Sequence, residues 1–233
     1  KLEKIGIRFI DSVDKAKEGT IIIAAHGAMP EIFEKAKKKK LDIIDTTCPL
    51  VKKVQNIARE LLEKNYQILI LGDKGHTEVE GILGATNNKA VVIESVDDIS
   101  NLKLDQNKHI ALIAQTTQER RKTEKILKVL QKRFKRVEFF DTICPTVGLY
   151  QKGLKKLAEK VDLILIIGSK TSANTRRLKE VAENKKRLIY QVEEPEDLEK
   201  DWVFGIGKVG IASGTSTPMW QIRKIIKKLK SYD

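Results

Sequence analysis

The chain has 233 residues, of which 41% are hydrophobic and 5% aromatic, and it carries a formal net charge of +13. This length and apolar content are enough for one large globular core or for two to three small domains. Without a run of 18 apolar residues or a signal-peptide pattern, and with only two cysteines, the sequence predicts neither a membrane span nor a disulfide-stapled secreted fold. We therefore expect a protein of the reducing cytoplasm.

Strand-like and helix-like segments alternate along the whole chain. The apolar runs predict strands at 20–24, 41–44, 66–71, 90–94, 109–114, 136–140, 163–167, 188–192 and 209–212. The helical patterns fall at 31–39, 49–64, 79–86, 97–102, 118–134, 146–160, 176–184, 195–201 and 219–230. Such alternation is typical of parallel sheets with right-handed crossovers, and so it predicts an α/β fold.

The positive charge is concentrated in helical stretches such as 35–40, 120–135 and 223–230. Lysine alternates there with leucine and isoleucine at helical spacing, which is the pattern of a solvated basic face. An acidic protein partner and the steering of an anionic substrate remain open alternatives. Nucleic acid ranks last, because aromatic residues are few and no RNA-binding aromatic motif is present.

One pentapeptide pattern occurs twice, as Asp45-Thr46-Thr47-Cys48-Pro49 and as Asp141-Thr142-Ile143-Cys144-Pro145, and it holds both cysteines of the chain. Each copy follows a short apolar run and precedes a helical pattern, so each cysteine is predicted at a strand-to-helix turn. The positive end of a helix dipole favours the thiolate, which is the form that binds metal. The repeat suggests α/β units bounded near the cysteines: residues 1–48, 49–143 and 144–233.

Several readings of the two cysteines stay open on sequence alone. They could form a disulfide, or be unrelated buried thiols, or ligate a metal or a cluster. Thiolates suit zinc and iron-sulfur centres, but either centre normally needs three or four ligands. A zinc ion could add His26 and His76, although their spacing makes a weak zinc signal.

The remaining unusual side chains also follow predicted strands, at the edge where parallel sheets bind ligands. His26 and His76, with Lys74 nearby, could bind an anion. Five residues with hydroxyl or amide side chains stand at the starts of predicted helices: Ser172, Asn174, Thr175, Ser216 and Thr217. They could bind a phosphate there, or they could be ordinary helix N-caps. Glu78 is the one carboxylate of this set, and it is either a proton donor or a partner of a helix dipole.

Taken together, these motifs resemble the LytB family of 4-hydroxy-3-methylbut-2-enyl diphosphate reductases, which catalyse the last step of the methylerythritol phosphate route to isoprenoids. The resemblance covers nearly the whole chain. It is carried by seven blocks in the family's order: 26–27, 45–54, 75–81, 115–118, 141–144, 168–178 and 214–218. Any one of these blocks alone would be a weak signal.

The resemblance implies three small α/β domains in a pseudo-threefold arrangement around a central cavity that holds a [4Fe-4S] cluster. Cys48 and Cys144 would be two of the cluster ligands. The substrate, an allylic diphosphate, would be bound by His26, His76, Thr116, Ser172, Asn174 and Ser216. Glu78, helped by Thr116, would relay protons to the departing hydroxyl group. Two electrons, delivered singly by ferredoxin or flavodoxin, would yield isopentenyl and dimethylallyl diphosphates.

The sequence departs from the family pattern in three places. The opening Phe-Cys-x-Gly-Val motif, which bears the other cluster cysteine, is absent; Pro145-Thr146-Val147-Gly148 replaces the stretch that usually contains Ala-Thr; and Ala173 replaces Ser or Gly. We expect that the opening segment was lost from this chain, because two intact cysteine turns persist beside complete diphosphate loops. The alternative is a cluster-free relative that binds a phosphorylated small molecule without redox chemistry.

Overall fold

The structure, a computed structural model, describes residues 3–183 and 188–232. Within these ranges strands and helices alternate in the predicted order, which confirms the α/β class. The strands are β1 (Thr20–Ile23), β2 (Asp42–Asp45), β3 (Gln67–Leu71), β4 (Val91–Ile93), β5 (Ile110–Ala114), β6 (Val137–Phe139), β7 (Leu163–Ile167), β8 (Leu188–Val192) and β9 (Val209–Ser213). The helices are α1 (Pro30–Lys38), α2 (Pro49–Glu63), α3 (Thr77–Ala85), α4 (Asp97–Ser100), α5 (Arg120–Arg133), α6 (Pro145–Ala158), α7 (Ala173–Glu183) and α8 (Met219–Leu229).

The described strands form three sheets, and every strand pair in them is parallel. The sheets have the orders β1-β2, β4-β3-β5-β6 and β8-β7-β9. In the middle sheet Leu71 pairs with Ala114, the last residue of β5. Because the strands are parallel and in this register, the loops that follow β3 and β5 lie side by side at one edge.

The central strands explain where the core lies. All five residues of β5 and all five of β7 are buried, as expected for parallel strands that are covered on both faces. The small β1-β2 sheet is less covered, and the side chains of Ile22 and Ile44, which pair in register, are 49% and 52% exposed. Apolar burial is therefore concentrated in the second and third sheets.

The chain folds into two compact units. The first comprises the chain up to Thr116 together with Glu124–Thr142, and it contains the first two sheets. The second comprises Thr117–Thr123 and the chain from Ile143 onward, and it contains the third sheet. The division into domains at 1–48, 49–143 and 144–233 stays a prediction.

Some predicted helix limits were wrong. The segment 195–201 forms two 3-10 turns, Pro195–Asp197 and Lys200–Trp202, and not an α-helix. The carboxylate of Asp197 accepts hydrogen bonds from the backbone N–H groups of residues 193 and 194, which closes a tight turn. The helices predicted from residues 79 and 176 begin earlier, at Thr77 and Ala173, and Asn184, the predicted end of the latter, lies outside the described residues.

None of the helices in the described ranges combines the length and the apolar character that crossing a bilayer requires.

Candidate active site

The first cysteine lies where the sequence predicted it, at the turn between β2 and α2. Cys48 is the N-cap residue of α2, and Pro49 occupies the first turn. The Asp45 carboxylate accepts a hydrogen bond from the Thr47 backbone N–H at 3.0 Å and lies 2.6 Å from the Lys52 ammonium. Partial burial opposes ionisation of Asp45, but hydrogen bonds from Lys52 and Thr47 hold its pKa below the ordinary 3.8. An ionised Asp45 thus fixes the shape of the cysteine turn.

The second cysteine repeats this geometry. Cys144 is the N-cap residue of α6, again followed by a proline. In both pentapeptides the threonine after the aspartate ties the turn to the last residue of a neighbouring strand. The Thr46 hydroxyl donates to the Ile23 carbonyl, and the Thr142 hydroxyl donates to the Ala114 carbonyl at 2.6 Å. The repeated sequence therefore encodes a repeated strand-to-helix turn.

The thiols themselves are compatible with an iron-sulfur centre. Both cysteines are free of disulfides and partly exposed, and each is presented at the N-terminus of a helix. Across the part of the chain that the structure describes, no three His, Cys, Asp or Glu side chains are grouped closely enough to hold a metal ion. The zinc site built with His26 and His76 therefore lacks support, whereas two thiolates match the donor chemistry of part of an iron-sulfur ligand set.

The two predicted histidines come together in the first unit. The rings of His26 and His76 meet edge to face, with their centroids 5.3 Å apart. The Nδ1 atom of His76 accepts the backbone N–H of Glu78 at 3.1 Å and so caps α3. In the neutral imidazole the remaining nitrogen, Nε2, must then carry the proton and act as a donor. Lys74 points elsewhere, with its ammonium 3.8 Å from Glu94 and 3.7 Å from Asp98.

The Cys48 turn lies beside this histidine pair. The backbone N–H of Cys48 donates to the carbonyl of Ala25 at 2.9 Å, one residue before His26. Next to them, Gly27 has φ +76° and lies so close to Thr47 that an added Cβ would be 3.1 Å from the threonine methyl group. The loop after β1 and the turn after β2 are therefore packed together.

Glu78 and Thr116 form the most closely coupled pair of predicted site residues. Glu78 is 1% exposed and lies in the first turn of α3. The Thr116 backbone N–H donates to Glu78 Oε1 at 2.6 Å, and the Thr116 hydroxyl donates to Oε2 at 2.9 Å. Burial raises the pKa of Glu78 above its usual 4.5; the two hydrogen bonds from Thr116 oppose the rise, and the charge of Asp73 adds to it. The pair is a buried, oriented carboxyl group able to hold a proton.

Gln115 also belongs to this site, although no role was predicted for it. It is fully buried, and its side-chain oxygen accepts the backbone N–H of Asp73 at 2.9 Å. This bond joins the loop that carries His76 to the residue before Thr116. The sequence signal was present, because Gln115 follows the last residue of β5, but its partner lies 42 positions away.

In the second unit, the loops after β7 and β9 meet through Asn174. Its side-chain amide donates to the Thr215 hydroxyl at 3.3 Å, while its Oδ1 is buried without a hydrogen-bond partner among the described residues. Ser172 caps α7 by accepting the Thr175 N–H at 3.4 Å, and the exposed Ser216 follows Thr215 directly. Helix-capping and phosphate-binding interpretations therefore both apply, since a capped N-terminus still directs N–H groups outward.

Two glycines allow these loops to approach. An added Cβ at Gly168 would lie 2.6 Å from the Thr175 hydroxyl oxygen, and one at Gly214 would lie 2.7 Å from the same atom. Gly168 also has φ +151°, a backbone conformation that favours glycine. The loop after β7 depends on the absence of a side chain at this position.

Comparison with known proteins agrees with this description. The profile of the family described as LytB protein matches residues 1–230. A 4-hydroxy-3-methylbut-2-enyl diphosphate reductase from Geobacter metallireducens is 33% identical over 233 residues, covering 100% of this chain and 82% of the relative. The reductase of the same name from Aquifex aeolicus is 36% identical over 234 residues, covering 99% and 80%.

A solved structure gives the same result. The E-1-hydroxy-2-methyl-but-2-enyl-4-diphosphate reductase from Plasmodium falciparum superimposes with a TM-score of 0.93 at 31% identity, covering 98% of this chain and 73% of that one. The arrangement of three parallel sheets is therefore shared with a diphosphate reductase.

Proposed function

This chain belongs to the LytB protein family, and from that premise we propose that it reduces (E)-4-hydroxy-3-methylbut-2-enyl diphosphate to isopentenyl and dimethylallyl diphosphates. The relatives bear the name of an enzyme that acts on this diphosphate. The observation that carries the proposal is the buried Glu78 carboxyl group, held by Thr116 and placed two residues after His76. We expect the reaction to take place in the cytoplasm.

The proposed reaction requires an acid. Replacing the hydroxyl group of the substrate by hydrogen consumes two electrons and two protons and releases water, and the hydroxyl is a poor leaving group until it is protonated. A carboxyl group whose pKa is raised by burial keeps its proton closer to neutral pH than an exposed one does. Glu78 is thus suited to donate the proton that leaves in the water molecule.

The hydrogen bonds of Glu78 define a route for that proton. The Thr116 backbone N–H occupies Oε1, so the proton of the neutral acid resides on Oε2. The Thr116 hydroxyl lies 2.9 Å from Oε2 and can accept that proton while passing its own onward. Thr116 would therefore be both an orienting group and a relay.

Polar side chains in the loops described above would bind the diphosphate. His76 would donate from Nε2, the nitrogen that its helix-capping bond leaves protonated, and His26 would act beside it. In the second unit, Ser172, Asn174 and Ser216 stand near the N-termini of α7 and α8, where backbone N–H groups favour an anion.

Cys48 and Cys144, the only cysteines of the sequence, would be two of the ligands of a [4Fe-4S] cluster. When bound, such a cluster would supply the electrons one at a time. We further propose ferredoxin or flavodoxin as the electron donor.

The proposal is tested with the full-length protein, reconstituted anaerobically with iron and sulfide. We expect iron-sulfur absorbance that is lost in Cys48→Ser, and conversion of the allylic diphosphate by a chemical reductant. Glu78→Gln should keep the absorbance and the affinity for the diphosphate but lose turnover, because the amide cannot donate the proton in the same way. Absence of both absorbance and turnover in the unmutated protein would contradict the proposal.

The cluster-free alternative predicts a different result. Diphosphate binding measured by calorimetry would then survive when both cysteines are replaced by serine, and iron and sulfide would change neither the spectrum nor the affinity.

A further inference from the structure

We infer that a basic pocket in the second unit, beside Cys144, is the docking surface for a small acidic protein that carries single electrons. This inference rests on the proposed function, because it names the face through which the reductase would receive its electrons. It assigns a role to residues of α5 and α6 that the proton and diphosphate chemistry does not use.

The pocket has a volume of about 500 Å³. The start of α6 contributes Cys144, Pro145 and Leu149 to its lining. Arg120 and Arg121 line it from the start of α5, and Lys152 from the middle of α6. The pocket is therefore built around the N-terminus of the helix that presents the thiol.

The charge around the pocket is one-sided. Arg120, Arg121 and Lys152 are all exposed. Among the lining residues the one carboxylate, Glu119, is already paired with Lys155, whose ammonium lies 2.8 Å away. An acidic surface would thus meet the exposed cations Arg121 and Lys152, and the one carboxylate of the pocket lining is already paired.

The apolar part of the pocket favours a protein over a small anion. The side chain of Leu149 is 68% exposed, although it lies on a helix whose other leucines are covered or partly covered. An exposed apolar centre within a charged rim is the usual composition of a protein interface. Electron-transfer complexes are small and weak and depend on complementary charge for fast encounter, so a patch of this kind is sufficient.

Cys144 connects the pocket with the proposed redox centre. The thiol is partly exposed and belongs to the pocket lining. A carrier seated on Leu149 and held by the basic rim would place its redox group next to a proposed cluster ligand.

The test measures binding of an oxidised acidic [2Fe-2S] ferredoxin to this chain by calorimetry, so it requires neither a cluster nor turnover. At low ionic strength, Lys152→Glu should weaken binding by roughly tenfold, and the difference should shrink in about 0.5 M salt. Lys38→Glu, an equal charge reversal at an exposed position of α1, is the matched control and should weaken binding far less.

Leu149→Ser separates apolar contact from charge. Its effect on affinity should persist at high salt, because it does not depend on screening. The inference is wrong if Lys152→Glu and Lys38→Glu weaken ferredoxin binding equally. It is also wrong if the chain binds a single-stranded RNA and Lys152→Glu lowers the affinity for the RNA as much as the affinity for the ferredoxin. Turnover with a chemical reductant is measured separately: turnover combined with either of those results would overturn the docking surface and leave the proposed function standing.

Discussion

The pairing of Thr116 with Glu78 makes a quantitative prediction. Thr116→Val removes the hydroxyl that donates to Glu78 Oε2 and keeps the backbone N–H that donates to Oε1. A hydrogen bond to a charged group contributes about 1.5–3 kcal/mol, and one to a neutral group about 0.5–1.5 kcal/mol. The substitution should therefore cost more stability where Glu78 is ionised than where it is protonated, and it should raise the pKa of Glu78 further.

The direction of the pH dependence follows from the raised pKa. Burial raises the pKa of Glu78 in the folded chain above 4.5. The folded state therefore favours the protonated carboxyl group over the ionised one. The stability contributed by Glu78 is complete below the unfolded pKa and is lost as the pH rises through the folded pKa. In Thr116→Val this loss should be larger and should extend to higher pH.

Urea unfolding at pH 4 and pH 8, with an NMR titration of the Glu78 carboxyl carbon, measures both effects. Thr117→Val is a matched control at the next residue, because the Thr117 hydroxyl is buried without a hydrogen-bond partner in the described part of the chain. Its replacement by a methyl group should be nearly neutral or stabilising. Equal effects of the two substitutions, or an unchanged Glu78 titration in Thr116→Val, would refute the assigned coupling.

Three further predictions concern the supports of the site. Gly168→Ala should lower the free energy of unfolding by about 1–3 kcal/mol and weaken diphosphate binding, because Gly168 has a φ of +151° and close neighbours. Its control is Gly153→Ala, on α6 with open space around the residue, which should stabilise the protein by up to about 1 kcal/mol in urea unfolding. Asp45→Asn should lose at most about 1 kcal/mol at neutral pH, and the loss should fade as the pH drops through the lowered pKa of Asp45, as pH-dependent unfolding would show. Gln115→Leu should raise the KM for the diphosphate more than it lowers kcat, because it releases the loop that carries His76 and leaves the acid in place; a fall in kcat alone would argue against this.

The order and the type of most elements could be predicted because they depend on local patterns. The five-residue run of β7 is apolar throughout, and the predicted limits of this strand agree with the structure. The two cysteine turns were also predictable, since a proline after each cysteine indicates a helix start. The segment 195–201 could not be predicted in this way, because the side chain of Asp197 competes with helical hydrogen bonds.

The site was predictable only as a set of separate residues. Glu78 and Thr116 are 38 positions apart, and their contact depends on β3 pairing with β5 so that Leu71 lies beside Ala114. A shift of this register by one residue would turn the side chains after β5 to the other face of the sheet. Local sequence patterns do not encode the register of strands that are not consecutive, so the link between Gln115 and Asp73 could not be predicted either.

The same register explains how the Glu78 carboxyl group can be buried and still titrate, because it places Thr116 beside that group. A buried carboxyl group without partners would cost several kcal/mol of desolvation, and it would remain neutral over a wide pH range instead of exchanging its proton. The hydrogen bonds from Thr116 offset part of that cost and keep the ionised form accessible. Both bonds come from Thr116, whose position is fixed because it follows the fully buried strand β5 and the buried Gln115. The core of the first unit therefore controls the proton affinity of Glu78. Changes in that core should therefore alter the pH dependence of the reaction before they alter the fold.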